Sequence, residues 1–316
     1  MIMYKVVEDQ LGDYQRVTLV NEKTGARVSV VTSFGANINS IVLSCDEKLI
    51  EILNADKTFE ELQTNCCFKS AKLIPFPNRI KDGNFKFQGK SYELECNFIE
   101  ENHAIHGLVW NKPFKLLRTE YSDDAALVIH CLDYRGESKG YPFEFRLEQT
   151  TLLNDKGVEI ITTIKNTGKT KLPMGDGWHP YFQLNEPVDK LELQIPAKES
   201  IEVDTRMIPT GNLHNYDLFQ ELSPIKDSSF DTGFKLENNA ISITEIYSEN
   251  NDISLNVWQE SDNAKYNFLQ IYIPPDRQSI AIEPMTCATN ALNSGDGLLV
   301  LNPGQSFVGR YGVFIQ

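Results

Sequence analysis

The chain of 316 residues is predicted to form an all-β fold, a large sandwich of packed antiparallel sheets. Many short segments alternate apolar and polar residues, or are rich in β-branched residues, at a spacing of roughly ten residues. Combinations of Asn, Asp, Gly and Pro, which favour turns, separate these segments. The sequence shows no linker, charge block, low-complexity tract or internal repeat. We therefore expect a single domain over residues 1–316.

The predicted strands follow the alternating segments along the chain. They are Arg27–Val31, Phe85–Gln88, Ala126–Leu132, Phe143–Leu152, Val158–Ile164, Leu191–Ile195, Ile253–Val257, Phe268–Ile273 and Ser279–Ile282. Turns are predicted between them at 82–84, 154–157, 166–168, 238–239 and 302–304. Only Lys57–Gln63 has the pattern of a short helix.

The charge of the chain limits its partners. It has 44 acidic and 30 basic residues, which gives a formal net charge of −14. Binding to nucleic acid needs a basic surface that replaces phosphate counterions, and an anionic membrane would repel this chain. We therefore expect no nucleic acid and no membrane as partner, but a small neutral molecule, with the protein as monomer or homodimer. A solvated acidic surface without further meaning is the simpler interpretation.

The cysteines indicate neither a metal site nor a disulfide framework. Their spacing contains no C-x-x-C pair and no zinc pattern. Neither a signal peptide nor an apolar run of eighteen residues is visible, so we expect a cytoplasmic protein with reduced thiols. The six residues are Cys45, Cys66, Cys67, Cys96, Cys131 and Cys287.

Four segments interrupt the strand pattern with residues that a core disfavours. The first is Ile74–Ile80, in which Pro75 and Pro77 enforce an extended approach to Asn78 and Arg79. The Arg79 guanidinium can offer several donors in fixed directions to the hydroxyls of a sugar. A surface arginine beside a turn is the structural alternative.

The second segment, Asn102–Trp110, contains two histidines. His103 and His106 are three residues apart and point to opposite faces of an extended chain, so they are poor joint metal ligands. Gly107 would allow the backbone to approach a ligand, and Trp110 offers a flat ring on which a sugar can stack. A loop histidine beside a core tryptophan is the alternative.

The third segment, Met174–Phe182, forms a constrained turn before an aromatic strand. Asp176, Trp178 and His179 lie in it, and His179 is followed by a proline. Histidine is the side chain best suited to exchange protons near neutral pH. A purely structural turn that packs aromatic rings is the other possibility.

The fourth segment, Ser279–Cys287, places Glu283 at the end of an apolar strand. A carboxylate is costly to bury there, and partial burial would raise its pKa toward the range of a general base. Alternatively, Glu283 simply meets solvent at the end of the strand.

In this order the four segments resemble the aldose 1-epimerase (galactose mutarotase-like) family. The resemblance covers about residues 25–315. The matching residues are Asn78-Arg79-Ile80, His106-Gly107, His179–Phe182, Glu283 and Asn302–Phe307.

The resemblance implies a galactose mutarotase-like supersandwich that interconverts the α and β anomers of a free aldose. It implies that Glu283 is the general base for the anomeric hydroxyl and that His179 is the general acid for the ring oxygen. Arg79, His106 and Asn78 would bind the sugar. Asp231 matches the hydroxyl-binding aspartate of the family more loosely, since Asp-Thr-Gly is also typical of a turn. No metal or organic cofactor is implied.

The sequence departs from the galactose-converting branch around the predicted acid and base. Asp176 and Trp178 precede His179 where that branch has a more polar stretch, and we expect these two residues to help form the specificity pocket. Three alternatives stay open: a non-catalytic sugar-binding protein, a glycoside hydrolase that pairs Glu283 with Asp231 or Asp176, and a phosphosugar epimerase. The last would need a second fixed cation beside Arg79.

Overall fold

The computed structural model describes residues 3–65 and 67–316. Cys66 lies outside the described residues, and Cys131 and Cys287 are buried thiols. The strands of the first half are β1 Tyr4–Leu11, β2 Tyr14–Asn21, β3 Arg27–Val31, β4 Asn37–Cys45, β5 Lys48–Glu51, β6 Ala71–Lys72, β7 Arg79–Ile80, β8 Asn84–Phe87, β9 Lys90–Glu93, β10 Ala104–Ile105, β11 Lys115–Tyr121, β12 Ala125–Tyr134, β13 Phe145–Asn154 and β14 Gly157–Asn166.

The second half continues the same pattern of short strands. They are β15 Leu172–Met174, β16 Trp178–His179, β17 Tyr181–Phe182, β18 Glu192–Gln194, β19 Glu199–Val203, β20 Pro209–Asn215, β21 Ser223–Pro224, β22 Asp231–Lys235, β23 Ile241–Ser248, β24 Ile253–Glu260, β25 Phe268–Tyr272, β26 Ile280–Met285, β27 Leu299–Leu301 and β28 Ser306–Ile315.

Three antiparallel sheets dominate the fold and confirm the predicted all-β class. The nine-stranded sheet has the order β11-β12-β13-β14-β28-β24-β23-β18-β21. The six-stranded sheet has the order β17-β26-β25-β22-β19-β20, and the five-stranded sheet runs from β1 to β5 in sequence order. Strand β2 packs against β12 and β13, so the five-stranded sheet covers part of the nine-stranded one.

The β13–β14 hairpin illustrates how the sequence specifies a strand pair. Along β13 every second side chain is buried, which is the pattern of a strand with one face on the core. At the predicted turn the Asn154 side chain accepts a hydrogen bond from the Lys156 backbone N–H at 2.8 Å. Gly157 follows with φ of 116°, and a β-carbon there would come within 2.3 Å of the Val313 carbonyl oxygen.

The short helices lie outside the sheets. Helix α1, Phe59–Thr64, begins after the Thr58 N-cap, and Thr58 and Glu61 form a reciprocal capping box. The prediction of a helix over Lys57–Gln63 is therefore confirmed, with its start two residues later. Helix α2, Ala291–Ser294, was not predicted, and single 3-10 turns occupy Lys81–Gly83 and Val188–Lys190.

The main cluster of buried apolar side chains extends from Tyr4 to Val313 and includes residues of all three large sheets. Within residues 3–65 and 67–316, none of the helices is both long enough and apolar enough to span a membrane.

Candidate active site

A cavity of about 480 Å³ brings together most of the residues that the sequence analysis selected. The four separate segments of the chain and β22 all contribute to its wall. The predicted site residues that line it are Asn78, Arg79, His106, Trp110, His179, Asp231 and Glu283.

His179 and Glu283 are both buried in the cavity wall. Their side chains approach within 3.5 Å, measured from His179 Nε2 to Glu283 Oε1. Glu283 Oε2, His179 Nδ1 and His106 Nδ1 are buried and have no hydrogen-bond partner. Buried polar atoms normally have partners, so these three are candidates for contacts with a bound polar molecule.

The position of His179 is fixed by backbone pairing and ring packing. Strand β16 pairs with β6, which places His179 opposite Ala71, and the His179 carbonyl accepts from the Ser70 N–H at 2.8 Å. The His179 ring stacks on Tyr181 with centroids 4.9 Å apart. The Tyr181 hydroxyl in turn donates to the Cys67 carbonyl oxygen at 3.2 Å. These contacts hold the imidazole in one orientation.

The six-stranded sheet supplies Glu283 and its neighbours. In the register of β26, β25 and β22, Glu283 is opposite Gln270, which is opposite Gly233. The next row on the same face contains Tyr272 and Asp231, because side chains two residues apart share a face. One face of one sheet therefore presents a row of polar groups to the cavity.

Burial shifts the proton affinities of the central pair in opposite directions. Burial raises the pKa of Glu283 well above its ordinary value; Asp231 adds to this shift and Arg79 opposes it. Burial lowers the pKa of His179 to about 4. The proton shared by this pair therefore rests preferentially on the carboxyl group, and the form with ionised Glu283 and protonated His179 is the minor one.

His106 lies against His179 and has an unusual backbone conformation. Its φ is 60°, its N–H donates to the Asn78 carbonyl at 3.1 Å, and its ring centroid is 5.0 Å from that of His179. Burial lowers the pKa of His106 well below its ordinary value, and the charges of His179 and Arg79 act in the same direction. His106 can therefore accept a hydrogen bond from a hydroxyl as a neutral ring.

Gly107 serves the fold rather than a ligand, which corrects the expectation of a close ligand approach. A β-carbon there would come within 2.2 Å of the Ile74 carbonyl oxygen, and φ is 75°. The absence of a side chain at Gly107 lets the loop that carries His106 pack directly against the backbone of the Ile74–Ile80 segment.

Arg79 is held by two side chains. Its Nε donates to Glu101 Oε2 at 2.8 Å, its Nη2 to Glu101 Oε1 at 3.4 Å and its Nη1 to Asn78 Oδ1 at 3.2 Å. Asn78 thus orients Arg79 in addition to lining the cavity. Glu101 was missed because nothing in an acidic surface segment distinguishes one glutamate from the next.

Asp231 begins β22 at the exposed end of the cavity. Its Oδ1 accepts a hydrogen bond of 2.7 Å from Gln270 Nε2. Gln270, Tyr181 and Tyr272, which also line the cavity, were not predicted as site residues. The signal for Gln270 was available, since it is a polar residue inside the apolar segment Phe268–Ile273.

The structure places Asp176 and Trp178 away from the cavity, in contrast to the expectation that they form the specificity pocket. Asp176 is fully buried and forms an ion pair with Lys72, with Nζ 2.8 Å from the carboxylate. Trp178 stacks on Tyr311 in the core, with ring centroids 5.6 Å apart. Side chains alternate across a strand, so His179 faces the cavity and its neighbour Trp178 faces the interior.

Two further features bear on what the chain can bind. Among the described residues, no group of three or more His, Cys, Asp or Glu side chains is arranged to hold a metal ion. A separate cavity of about 430 Å³ lies beside the β13–β14 turn and the end of β28, but it contains none of the predicted site residues.

Comparisons with known proteins agree with this geometry. The family model for aldose 1-epimerase matches residues 15–313. The uncharacterised protein YihR of Escherichia coli K12 is 32% identical over 241 residues, which is 74% of each chain. Human galactose mutarotase is 30% identical over 158 residues, or 49% of this chain and 42% of its own.

Solved structures show the same fold. A galactose mutarotase-like protein from Clostridium acetobutylicum superimposes with a TM-score of 0.88 at 21% identity, over 100% of this chain and 98% of its own. Galactose 1-epimerase from Lactobacillus acidophilus gives 0.81 at 19% identity, over 100% and 99%. With the family match over nearly the whole length, the chain belongs to the aldose 1-epimerase family.

Proposed function

We propose that the protein is an aldose 1-epimerase, an isomerase that interconverts the α and β anomers of a free aldose. The observation that carries this proposal is the approach of His179 Nε2 to Glu283 Oε1 at 3.5 Å inside a cavity lined by further polar groups. Mutarotation needs one proton removed and one delivered on the same substrate, with no redox step and no leaving group.

The proposed mechanism assigns one proton transfer to each member of the pair. Glu283 takes the proton of the anomeric hydroxyl while His179 protonates the ring oxygen, and the ring opens. The bond between the first two carbons rotates, and the reverse transfers close the ring as the other anomer. Arg79, His106 and Asp231 would hold the sugar hydroxyls, with Asn78 acting mainly through Arg79.

The alternatives have less support. A glycoside hydrolase that uses Asp176 would need that carboxylate at the cavity, but Asp176 is buried with Lys72. The version that pairs Asp231 with Glu283 leaves His179, at 3.5 Å from Glu283, without a role. A phosphosugar epimerase would need a second cation, and Arg79 is the only Lys or Arg among the described lining residues.

Polarimetry tests the proposed function directly. A freshly dissolved α-aldose should reach its equilibrium rotation faster with the protein than without it, for at least one sugar in a panel of hexoses and pentoses. A sugar that binds without any faster mutarotation would instead favour a non-catalytic carbohydrate-binding protein. Release of a reducing sugar from a glycoside would favour a hydrolase.

The pH dependence of kcat/KM should be bell-shaped. Its acid limb should report the histidine and its alkaline limb the carboxyl group, the reverse of the order of their ordinary pKa values. The active form needs ionised Glu283 and protonated His179, so activity is lost when both or neither is protonated. Because the pKa of His179 lies near 4 and that of Glu283 is raised, the acid limb should fall near pH 4 and report His179. The alkaline limb should report Glu283.

The variant His179→Asn checks this assignment. Without the imidazole, the residual activity should depend on Glu283 alone and rise with pH through the range where the wild-type activity declines. A residual profile that keeps the wild-type alkaline decline would contradict the assignment. The profile is measured by polarimetry between about pH 3 and pH 10 with unfolding followed in parallel, an interval chosen to span the ordinary carboxyl and imidazole ranges.

Trp110→Ala should weaken sugar binding more than it lowers turnover. The Trp110 ring is half-buried at the cavity wall and packs against Phe68, so it can serve as a stacking platform. Loss of an interaction shared by the ground and transition states raises KM and leaves kcat nearly unchanged. Steady-state kinetics on the preferred sugar measure the two constants.

Trp178→Ala is the matched control, because its ring lies in the core. This variant should lower the free energy of unfolding by about 3–5 kcal/mol. The stacking role would be contradicted if Trp110→Ala lost stability but kept its KM.

A further inference from the structure

The charge of Arg79 is already neutralised within the structure. Its Nε and Nη2 both donate to the Glu101 carboxylate, and the pair is largely buried, with side-chain exposures of 10% for Arg79 and 30% for Glu101. Carboxylates and phosphates bind arginine best through two parallel N–H groups. Glu101 occupies the edge formed by Nε and Nη2, and Asn78 accepts from Nη1, so three of the five N–H donors are already used inside the protein.

Glu101 is itself fixed from the opposite side. Arg206 Nη2 donates to the Glu101 carbonyl oxygen at 2.8 Å and to Asp82 Oδ1 at 2.7 Å. The charge of Arg206 is thus paired with Asp82. Arg206 contacts only the backbone carbonyl of Glu101 and does not compete with Arg79 for the Glu101 carboxylate. Glu101 stands behind Arg79 and does not line the cavity itself.

The remaining charges of the cavity are acidic. Asp231 lines it as a carboxylate, Glu283 preferentially holds its proton, and the lowered pKa values of His106 and His179 leave both rings mostly neutral. With Arg79 cancelled by Glu101, the described residues around the cavity offer no net positive charge. An anionic group on a sugar would meet the Asp231 carboxylate and a guanidinium whose Nε–Nη2 edge is already taken by Glu101.

We propose that Glu101 is a positioning residue that determines specificity, holding Arg79 and cancelling its charge so that the site accepts uncharged aldoses and rejects anionic ones. This inference rests on the proposed function, since it names the substrate class of the same site. The guanidinium then donates single hydrogen bonds to sugar hydroxyls instead of binding a carboxylate or phosphate.

The test compares D-galactose with D-galacturonic acid, which carries a carboxylate at the sixth carbon. The kcat/KM for mutarotation is measured for both sugars in the wild type, Glu101→Gln, Glu101→Ala and Glu100→Gln. Glu101→Gln removes the charge but keeps a hydrogen-bond acceptor for Arg79. Glu100→Gln makes the same change at the exposed neighbouring position.

The wild type and Glu100→Gln should prefer galactose, and Glu101→Gln should shift the ratio toward galacturonic acid by at least about tenfold. Glu101→Ala should lower kcat/KM for galactose as well, because Arg79 loses its support. If Glu101 had a purely structural role, Glu101→Gln would lower kcat/KM for both sugars by the same factor and leave their ratio unchanged. That result would overturn the proposal. Equal use of both sugars by the wild type would also overturn it.

Two further measurements test the proposal even if the variants are inactive. In the wild type, added salt should raise kcat/KM for galacturonic acid more than for galactose, because salt screens like-charge repulsion. If no variant accelerates mutarotation of either sugar, the proposed function is judged on the wider panel of aldoses, and calorimetric affinities for the same two sugars decide on Glu101 independently. An unchanged affinity ratio in Glu101→Gln would then refute the specificity role.

Discussion

Glu283→Gln should lower kcat for mutarotation by at least ~10²-fold while the sugar still binds. The amide preserves the shape and hydrogen bonding of the side chain, but it cannot accept the anomeric proton at the working pH. Glu283 is 2% exposed, and its Oε2 has no hydrogen-bond partner, which leaves that oxygen available to a bound sugar. Polarimetry gives kcat, and calorimetry with the same sugar gives the affinity.

The companion variants define what this loss means. His179→Asn should behave similarly near neutral pH, and the double variant should be little worse than the worse single one, because the two groups act in one ring opening. Glu100→Gln provides an exposed glutamate as the matched control. Near wild-type turnover in Glu283→Gln, on a confirmed substrate, would remove this residue from the mechanism.

The sheet strands were predictable where one face of the strand is buried and the other is not. Strand β13 alternates along its whole length, and its prediction as Phe143–Leu152 is off by two residues at each end. Strand β1 was missed because most of its side chains are exposed, so its sequence has no apolar alternation. It is specified instead by pairing with β2 along its full length.

Site residues were predictable where an ionisable side chain stands in an apolar segment or next to a proline. Glu283 in an apolar strand and His179 before a proline are visible in the sequence. Glu101 acts through its contact with Arg79, 22 positions away in the chain, and only the fold reveals that contact. Asp176 lies in a segment that has the sequence features of a site. The sequence does not show that it pairs with Lys72, because the two residues are 104 positions apart.

Asp176→Asn should destabilise the protein by about 3–5 kcal/mol without raising KM for the sugar in the folded fraction. The Lys72 ammonium is fully buried, and it donates to Asp176, to Thr162 at 2.7 Å and to Tyr311 at 3.0 Å. Removal of the carboxylate charge leaves this cation without a counter-charge, and burial already lowers the pKa of Lys72. Urea unfolding with an unchanged m-value would measure the loss.

The double variant Lys72→Met, Asp176→Asn separates the cost of an unpaired charge from the value of the pair. It removes both charges, and the amide that replaces the Asp176 carboxylate keeps an acceptor for the Tyr266 hydroxyl, which donates to Asp176 at 2.6 Å. It should therefore lose less stability than the sum of the two single variants, because each single variant strands one buried charge. The opposite result, normal stability in Asp176→Asn with weakened sugar affinity, would return Asp176 to the specificity pocket and contradict the buried ion pair.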